Sequence, residues 1–428
     1  MSIATIELND IAIRFDGDQG IIESPGYAVI DGDNLLIGEA GRANARLLPR
    51  WRNNRFWQSL DTNPLADGTA RVRHHADLVF SHLESLSENI KGQTGLILLV
   101  PSDYTAPQLG LLLGITKELG WPVSAMLDTG VAAALNATST HVMQVEIYQH
   151  RWVMTAVTTG DHLQRTDSVP VGNRGWSSLM DQWATLLSGR FIAEHRYDPT
   201  HQAASEQALY DRIPLWLSDP KSPPSLDVGE ASRTVSLSEA EWQSVCSEQI
   251  AELTNTLMGY IERHNLKGPV EVLLGHHAAH VPGIAHSLEL IDSVSVTVMK
   301  DDTVSTAVRA HGDTIASLSA DVTHVVQLPI GVDTSPDTQH APRATHLLCG
   351  SRAIRIDNSL DVNGIQDGRP VTGGNDPVFS LVQHGARTLL DPHRSVVLNG
   401  TATVDTTDVV PGDVISMDSH DLMIISDA

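Results

Sequence analysis

The chain has 428 residues, of which 41% are apolar, so it is long enough for two or three domains with buried cores. Its 52 acidic and 28 basic residues give a net charge of -24, which argues against nucleic acid and anionic membranes as partners, because both would repel it. The two cysteines, Cys246 and Cys349, lie in no zinc or disulfide spacing, and no window reaches the roughly 18 apolar residues of a membrane span. We therefore expect a cytoplasmic protein with no membrane span and no cleaved leader.

The first 45 residues alternate short apolar runs with turn signals and predict a β-meander. Its first two strands flank Asn9 and Asp10, a pair that suits a two-residue hairpin turn because both residues tolerate left-handed backbone. Glu7 stands at the end of the first strand. An acidic strand end before a hairpin suits a phosphate and metal site, and it equally suits an ordinary hairpin.

Helices and buried strands alternate further along the chain. A helix is predicted over residues 73–90, and a strand buried on both faces over 96–100. A second round starts near Thr140 with three antiparallel strands, and it includes a long helix that Ser238 and Glu241 open in capping-box spacing. Both rounds follow one plan, a strand meander and then alternating helices and strands, which predicts a duplicated α/β fold.

The last hundred residues have a different composition. From about Asp321 helical patterns stop, and Thr, Val, Asp and Gly dominate. This pattern predicts a core over residues 1–320, a linker over 321–341 and a small all-β domain, a β-sandwich, over 342–428.

Histidine is the one compositional excess, with 20 residues. Two clusters invite a metal interpretation, and their members are His74, His75, His82, His276, His277 and His280. Adjacent histidines on a helix point in different directions, and no carboxylate lies beside them at a spacing such as HExxH. We expect polar surface or loop positions here rather than a metal site.

Several segments within residues 3–318 resemble the ATPase domain of the 70-kDa heat-shock chaperones and, more broadly, the actin-like ATPase superfamily. The segment "LILLVPSDYTAPQLGLLLGITKELGWPVSAMLDTGVAAAL" is similar to the family's "tVPa-y-f" strand, its helix and its "NEP-T-AAAL" connection. The segment "VEVLLGHHAAHVPGI" is similar to the family's adenosine-binding turn. The resemblance implies a duplicated two-lobed core, with lobe I over about 1–138 and lobe II over about 139–320.

The resemblance also implies two hairpins that grip phosphates through backbone N–H groups, which glycine permits because it has no Cβ. In the first hairpin the family's acid falls on Glu7, its glycine on Asn9 and its first hydroxyl on Asp10, which would face phosphates with like charge. In the second hairpin the acid falls on Glu146, and bulky Tyr, Gln and His residues stand where glycines belong. Both phosphate grips therefore depart from the family pattern.

The other catalytic elements depart as well. The family's lysine falls on Gln58, and its "NEP" glutamate falls on Thr129, beside Asp128; the adenosine turn keeps Gly275, followed by His276. In-line ATP hydrolysis needs Mg²⁺, phosphate clamping and a positioned water together, so these departures predict that hydrolysis is lost. Glu7 and Glu146 then become strand-end carboxylates of a residual cleft. The alternative is that they still hold a nucleotide or a metal in a changed pose, so ATP and Mg²⁺ stay open as cofactors.

Near the C-terminus, "LLDPHRSVVLNGTATVDTTDVVPGDVISM" resembles forkhead-associated domains, which bind phosphopeptides. The NGT and GD motifs match, but the phosphate-reading Ser-Arg-x-His does not, since Ser380 and His384 are one residue too far apart. The resemblance implies a recognition surface at Ser380, His384 and Asn399. The heat-shock chaperones place a peptide-binding β-sandwich at the same position, which is the other interpretation.

Together these features predict a chaperone-like or scaffold protein that acts through other proteins in a larger assembly, as an oligomer or an assembly subunit. Two alternatives stand beside it. One is an active ATP-dependent chaperone or a filament-forming actin-like ATPase, and the weaker one is a phosphopeptide-binding adaptor.

Overall fold

The structure is a computed structural model of the chain. It describes residues 3–18, 20–66, 68–219, 222–229, 231–318, 322, 324–330, 344–350, 352–356, 359–366, 369–374, 377–384, 387–404, 406–417 and 420–426. The chain divides into unit 1, Met1–Thr334, and unit 2, Ser335–Ala428. It is a mixed α/β protein: the helices of the described residues lie in unit 1, and the described part of unit 2 contains strands.

The first half of unit 1 contains strands β1 (Ile3–Leu8), β2 (Ile13–Gly17), β3 (Gly20–Ser24), β4 (Ala28–Asp31), β5 (Asn34–Ile37), β6 (Arg52–Asn53), β7 (Gly95–Val100) and β8 (Val123–Asp128). Its helices are α1 (Glu39–Ala43), α2 (His75–Ile90), α3 (Ala106–Glu118) and α4 (Thr129–Ala134). A short 3-10 helix spans Pro49–Trp51.

The second half of unit 1 contains strands β9 (His141–Ile147), β10 (Trp152–Thr158), β11 (Leu163–Val171), β12 (Ser225–Val228), β13 (Ala231–Thr234), β14 (Val270–Leu274), β15 (Val294–Val298), β16 (His324–Val325) and β17 (Gln327–Leu328). Its helices are α5 (Trp176–His195), α6 (Ala203–Ser218), α7 (Glu239–Arg263), α8 (His276–Ala279), α9 (Ile284–Glu289), α10 (Thr303–Ala310) and α11 (Gly312–Ser317). Helix α7 begins with the predicted capping box, in which Ser238 and Glu241 cap each other's backbone.

The first six-stranded sheet has the order β3-β2-β1-β7-β8-β16. Strands β1, β2 and β3 form an antiparallel meander, whereas β7 is parallel to β1 and β8 is parallel to β7. Every residue of β7 is buried, as its continuous apolar run predicts for a strand covered on both faces.

The second six-stranded sheet has the order β17-β11-β10-β9-β14-β15. Strands β9, β10 and β11 form an antiparallel meander, β14 is parallel to β9, and β15 is parallel to β14. Apart from β16 and β17, the two sheets therefore have the same strand order and the same strand directions.

One apolar cluster connects the two sheets. It joins Ile97 of β7 and Val131 of α4 to Val142 of β9, Leu273 of β14 and Val308 of α10, all of them buried. Two further clusters cover the outer faces, one under α2 and α3 and the other under α5, α6 and α7. The strand ends of both sheets are held in place by this shared core, and their loops meet beside it.

Smaller elements extend from both halves. Strands β5, β4 and β6 form a three-stranded sheet next to α1, and β12 pairs with β13 in a hairpin between α6 and α7. Among the helices of the described residues, none is long and apolar enough to cross a membrane.

The loop between β1 and β2 is longer than the predicted two-residue turn. Leu8 is the last residue that pairs with β2, opposite Ile13, so the loop covers residues 9–12. The Asn9 side chain explains the difference, because its Oδ1 accepts a hydrogen bond from the Ile11 N–H at 3.0 Å and closes a local turn.

The predicted linker, residues 321–341, is described only at 322 and 324–330. Within it β16 pairs with β8 of the first sheet, and β17 pairs with β11 of the second. These two short strands of the predicted linker therefore extend the sheets of unit 1. The Pro- and Asp-containing segment 333–343 lies outside the described residues.

Unit 2 is built from two antiparallel sheets. Its strands are β18 (His346–Cys349), β19 (Arg352–Arg355), β20 (Ser359–Gln366), β21 (Arg369–Thr372), β22 (Phe379–His384), β23 (Arg387–Pro392), β24 (Val396–Leu398), β25 (Thr401–Thr403), β26 (Thr407–Val409), β27 (Val414–Met417) and β28 (His420–Ile425). The six-stranded sheet has the order β19-β18-β28-β27-β24-β25, and the five-stranded sheet has the order β21-β20-β22-β23-β26. One core cluster, which includes Leu347, Val362 and Ile415, draws residues from both sheets.

Candidate functional site

The candidate site of unit 1 lies where two loops meet, one after β1 and the other after β9. The Asn9 Nδ2 donates a hydrogen bond to the Ile147 carbonyl at 3.0 Å. The Gln149 N–H donates to the Asp10 Oδ1 at 2.6 Å. Asn9, Asp10 and Gln149 are all buried. The two loops predicted to flank a phosphate are therefore bonded directly to each other.

Asp10 thus behaves differently from the sequence expectation, in which its charge would repel phosphates. Its carboxylate accepts a backbone N–H of the opposite loop, which is the kind of donor that a phosphate-binding hairpin would offer. Asp10 also accepts through its main chain, since its carbonyl receives the Gly26 N–H at 3.1 Å. A Cβ at Gly26 would collide with that carbonyl, so the glycine permits the close approach.

A buried arginine stands beside this contact. The Arg151 Nε and Nη2 donate to the two oxygens of Asp103 at 2.5 and 3.0 Å, and its Nη1 lies 3.6 Å from the Asp10 Oδ2. The guanidinium also lies over the Tyr148 ring, 4.3 Å from its centroid. Burial raises the pKa of Asp10 to about 6, although Arg151 opposes the shift.

Sequence reasoning did not include Arg151 and Asp103. Asp103 follows the carboxyl end of the buried parallel strand β7, a position where site residues collect in α/β proteins. Arg151 is the one basic residue of the predicted second hairpin other than histidine. Those two signals could have pointed to the pair.

Glu7 and Glu146 occupy equivalent places near the ends of β1 and β9. Burial raises the pKa of both carboxyl groups, and the Glu7 charge raises that of Glu146 further. Arg14, which pairs with Glu7 across β1 and β2, opposes the shift at Glu7. The Glu146 Oε1 accepts a hydrogen bond from the Ile147 N–H at 3.1 Å. Both carboxyls are thus biased toward the protonated form.

Little space remains beside the two glutamates. The cavity that they line with Thr129, Gly275 and His276 measures about 20 Å³. A buried water needs roughly 10–15 Å³, so this space is of the size of one water. A Cβ on Gly275 would collide with the Glu146 carboxylate, so this glycine makes room for a side chain of the chain itself.

Asp128 is fully buried and its oxygens are occupied. Oδ1 accepts the Gly130 N–H and the Ser102 hydroxyl, both at 2.9 Å, and so caps helix α4. Oδ2 accepts from Arg165 Nη1 at 2.6 Å. Thr129, also buried, lies 3.4 Å from the Ser102 hydroxyl. This arrangement joins β8 to β11.

Gln58 contacts helix α3. Its carbonyl accepts from Gln108 Nε2 of α3 at 2.9 Å, and its Oε1 is buried with no hydrogen-bond partner. Gln58 lines neither the small cavity nor the larger one described next.

A larger cavity of about 530 Å³ lies beyond the loop contact and is lined by residues of both halves. Charged pairs cross between the halves at its wall: Arg42 Nη1 binds Asp211 at 2.7 Å, and Arg46 Nη2 binds Asp181 at 2.6 Å. The Arg46 guanidinium lies over the Tyr210 ring, 3.5 Å from its centroid. The cations of this wall are thus already paired with carboxylates of the chain.

The histidine clusters occupy structural positions. His276 Nδ1 lies 2.5 Å from Asp301, His280 Nδ1 donates to the His276 carbonyl, and burial lowers the pKa of His277 to about 3. His82 is buried between the Ser24 hydroxyl and the Trp57 indole N–H, at 2.7 and 3.0 Å. Within the described ranges, no group of three or more His, Cys, Asp or Glu residues is arranged to hold a metal ion.

The candidate residues of unit 2 are also bonded internally. Ser380 is buried, and its hydroxyl donates to Asp361 Oδ1 at 2.7 Å and lies 2.9 Å from His393 Nε2. Asn399 has a left-handed backbone with φ 49°, and its amide bonds both the Asp413 carboxylate and the Val414 N–H. The His384 side chain lies outside the described part of the structure.

A scan against protein-family models found no family that matches the chain. A search of curated proteins likewise found no similar sequence.

Proposed function

We propose that the chain is a chaperone-like or scaffold protein whose actin-like, heat-shock-chaperone-type core does not hydrolyse ATP. The observation that carries the proposal is the direct contact between the loops after β1 and β9. The Asp10 carboxylate accepts the Gln149 N–H, a backbone donor of the kind that a phosphate-binding hairpin offers, and this contact supports the proposal. The core then supplies shape and surface to a larger assembly, in which its partners are other proteins.

The strand order supports the fold part of this proposal. Two sheets of the same order and direction, joined through one apolar cluster, fit two lobes that arose from one plan. We place lobe I at about 1–138 and lobe II at about 139–320. A fold-level likeness does not assign an activity, so the functional part rests on the site.

The chemistry of the site supports the loss of hydrolysis. Phosphoryl transfer to water needs a metal that bridges phosphates and a group that orients the water. The cavity beside Glu7 and Glu146 measures about 20 Å³, the size of one water, whereas bound Mg²⁺ usually keeps several waters. Asp128 is bonded to Arg165 and to the start of α4. We propose a cytoplasmic setting, which the two free, buried cysteines suit.

For unit 2 we propose a forkhead-associated-like sandwich that contributes to partner recognition. The sheets of six and five strands support this fold, and the bond between Asn399 and Asp413 ties the NGT turn to the GD turn. The side chains of Ser380 and Asn399 form hydrogen bonds within unit 2, which favours a structural role over phosphate binding. Removal of residues 340–428 should abolish partner pull-down, and an unchanged pull-down would move the interface to the core.

The test is nucleotide binding and hydrolysis by the purified chain, with and without Mg²⁺. We expect neither binding in the micromolar range nor turnover, both in the wild type and in the Glu7→Ala, Glu146→Ala double variant. A matched control is the double variant Glu118→Ala, Glu262→Ala, which removes two exposed glutamates and so the same number of carboxyl groups. Micromolar ATP binding that the first double variant loses and the control keeps would overturn the proposal in favour of an active ATPase.

A further inference from the structure

Strand β15 is the outermost strand of the second sheet, and its outer edge is open. It follows β14 in the sheet order, with no strand of the described residues beyond it. Ser295, Thr297 and Val298 are exposed, and the exposed fraction of Val298 is 52%. Open edges with β-branched residues offer unpaired backbone groups to another strand, so proteins usually shield them. Four of the five residues of β15 are β-branched, and no strand of the described residues shields them.

The hydrogen bonds to β14 show which backbone groups of β15 point outward. The Val270 N–H donates to the Ser293 carbonyl, and the Met299 N–H donates to the Leu274 carbonyl. Because bonding direction alternates along a strand, residues 293, 295, 297 and 299 face β14. The N–H and C=O groups of Val294, Val296 and Val298 therefore face the open edge. Val294 uses its N–H within the preceding turn, on the Ile291 carbonyl.

The sequence of this edge is close to a palindrome about Val296. In "DSVSVTVMK", residues 292–300, Val294 mirrors Val298 and Ser295 mirrors Thr297. At the ends Asp292 mirrors Lys300, and both are exposed. A surface with this property can meet its own copy across a two-fold axis, since each residue then finds its mirror partner.

We propose that β15 pairs antiparallel with β15 of a second copy of this chain, about a two-fold axis at Val296. In this register Val296 of each copy donates to and accepts from the other, and the Val298 N–H donates to the opposite Val294 carbonyl. Opposite charges meet at both ends, because Asp292 lies across from the other copy's Lys300. The two six-stranded sheets then become one continuous sheet of twelve strands.

Other registers fit less well. An axis at Ser295 or Thr297 also keeps the bonding direction, with that residue in a non-hydrogen-bonded pair, but it places Lys300 opposite Leu290 or Val294. An axis at Val298 keeps the bonding direction but places Lys300 opposite Val296, which leaves the charge without a mate. Among these registers, the axis at Val296 is the one that sets Asp292 opposite Lys300 at both ends, and this charge complementarity is why we favour a second copy as the occupant of the edge.

The decisive experiment is disulfide trapping in the full chain. Val296→Cys places two thiols directly opposite each other, with Cα atoms about 5.5 Å apart, within the range of a disulfide. Ser295→Cys is the matched control, because its own copy then lies on the diagonal, about 7–8 Å away. The native Cys246 and Cys349 are buried and give the background. We expect a covalent dimer from Val296→Cys on mild oxidation and little from Ser295→Cys.

Charge exchange gives a second readout by sedimentation velocity at about 0.15 M salt, where the net charge of -24 is largely screened. Asp292→Lys and Lys300→Asp each set like charges opposite each other at both ends, so each should weaken the dimer about tenfold or more. The double variant Asp292→Lys, Lys300→Asp restores opposite pairs and should recover the wild-type constant. Equal trapping of both cysteine variants, a monomer at every concentration, or no recovery in the double variant would overturn the proposal.

Discussion

Replacing Asp10 by asparagine tests the loop contact at the centre of the candidate site. An asparagine Oδ1 can still accept the Gln149 N–H, and Arg151 keeps both of its bonds to Asp103. The substitution removes the ionisable group. Burial raises the pKa of this carboxyl from 3.8 to about 6. The variant therefore separates the charge of Asp10 from its position.

The sign and size of the effect follow from that pKa. Between pH 3.8 and about 6 the folded state holds the Asp10 proton and the unfolded state has lost it, so the free energy of unfolding falls as pH rises. Each pH unit in this window is worth ~1.36 kcal/mol, which gives about 3 kcal/mol across it. Above about pH 6 the loss is complete and stays constant. The stability of Asp10→Asn relative to wild type should thus rise by roughly 2 kcal/mol between pH 4.5 and 7.

Urea unfolding followed by tryptophan fluorescence measures this difference. All 8 tryptophans precede residue 335, so the signal reports unit 1 alone. Other groups that titrate in this range, such as the buried His82, cancel in the difference between variant and wild type. Asp33→Asn, at an exposed position, serves as the control and should track wild type at each pH. A constant difference between Asp10→Asn and wild type from pH 4.5 to 7 would refute the reasoning.

Three further substitutions test the packing around the sites. Gly275→Ala places a Cβ against the Glu146 carboxylate and should lower the free energy of unfolding by roughly 1–3 kcal/mol in the same urea assay. The control is Gly110→Ala, where a Cβ has no neighbour within 4 Å, and it should be neutral or stabilising. Equal losses in both variants would contradict the predicted collision. Asp128→Ala uncaps α4 and leaves Arg165 without its carboxylate, so it should cost about 3 kcal/mol or more, and a loss below 1 kcal/mol would exclude that role. Asn399→Ala should lower the free energy of unfolding of unit 2, measured by calorimetry, by roughly 1–2 kcal/mol. Asn399→Gly should lower it less, because glycine tolerates the φ of 49°. A larger loss for the glycine variant would contradict the role of left-handed strain.

Much of the framework followed from periodicity. The apolar run that predicts a strand at residues 96–100 corresponds to β7, and the periodic stretch 73–90 corresponds to α2. The capping residues Ser238 and Glu241 marked the start of α7. These signals are local, because the burial pattern of an element and its capping residues involve positions only a few residues apart.

The contacts of the site were harder to foresee. Asn9 and Asp10 suited a tight turn, yet their bonds to Ile147 and Gln149 span 138 and 139 residues of sequence. No local pattern encodes such a partner. In the same way β16 and β17, of two residues each, are too short to show a period, so the sequence placed them in the linker, although they extend the sheets of unit 1.

Ser380 shows why a motif position alone was insufficient. Serine suits both an exposed phosphate contact and a buried bond inside a sandwich, and the choice depends on Asp361 and His393 across the sheet. The role of Asn399 could not be chosen from the sequence for the same reason. An Asn-Gly pair predicts a turn whether or not the asparagine amide donates to Asp413. The sequence identified these residues as candidates, whereas their hydrogen-bond partners depend on the tertiary structure.

The bond from Asp10 to Gln149 joins two parts of one covalent chain, so its strength has no dependence on the concentration of any dissolved molecule. An enzyme whose halves are bridged by a nucleotide opens and closes as the supply of that nucleotide changes. A bridge made by the chain's own carboxylate responds instead to acidity and to temperature. If the core binds no nucleotide, as we propose, this contact between the two halves does not depend on nucleotide supply.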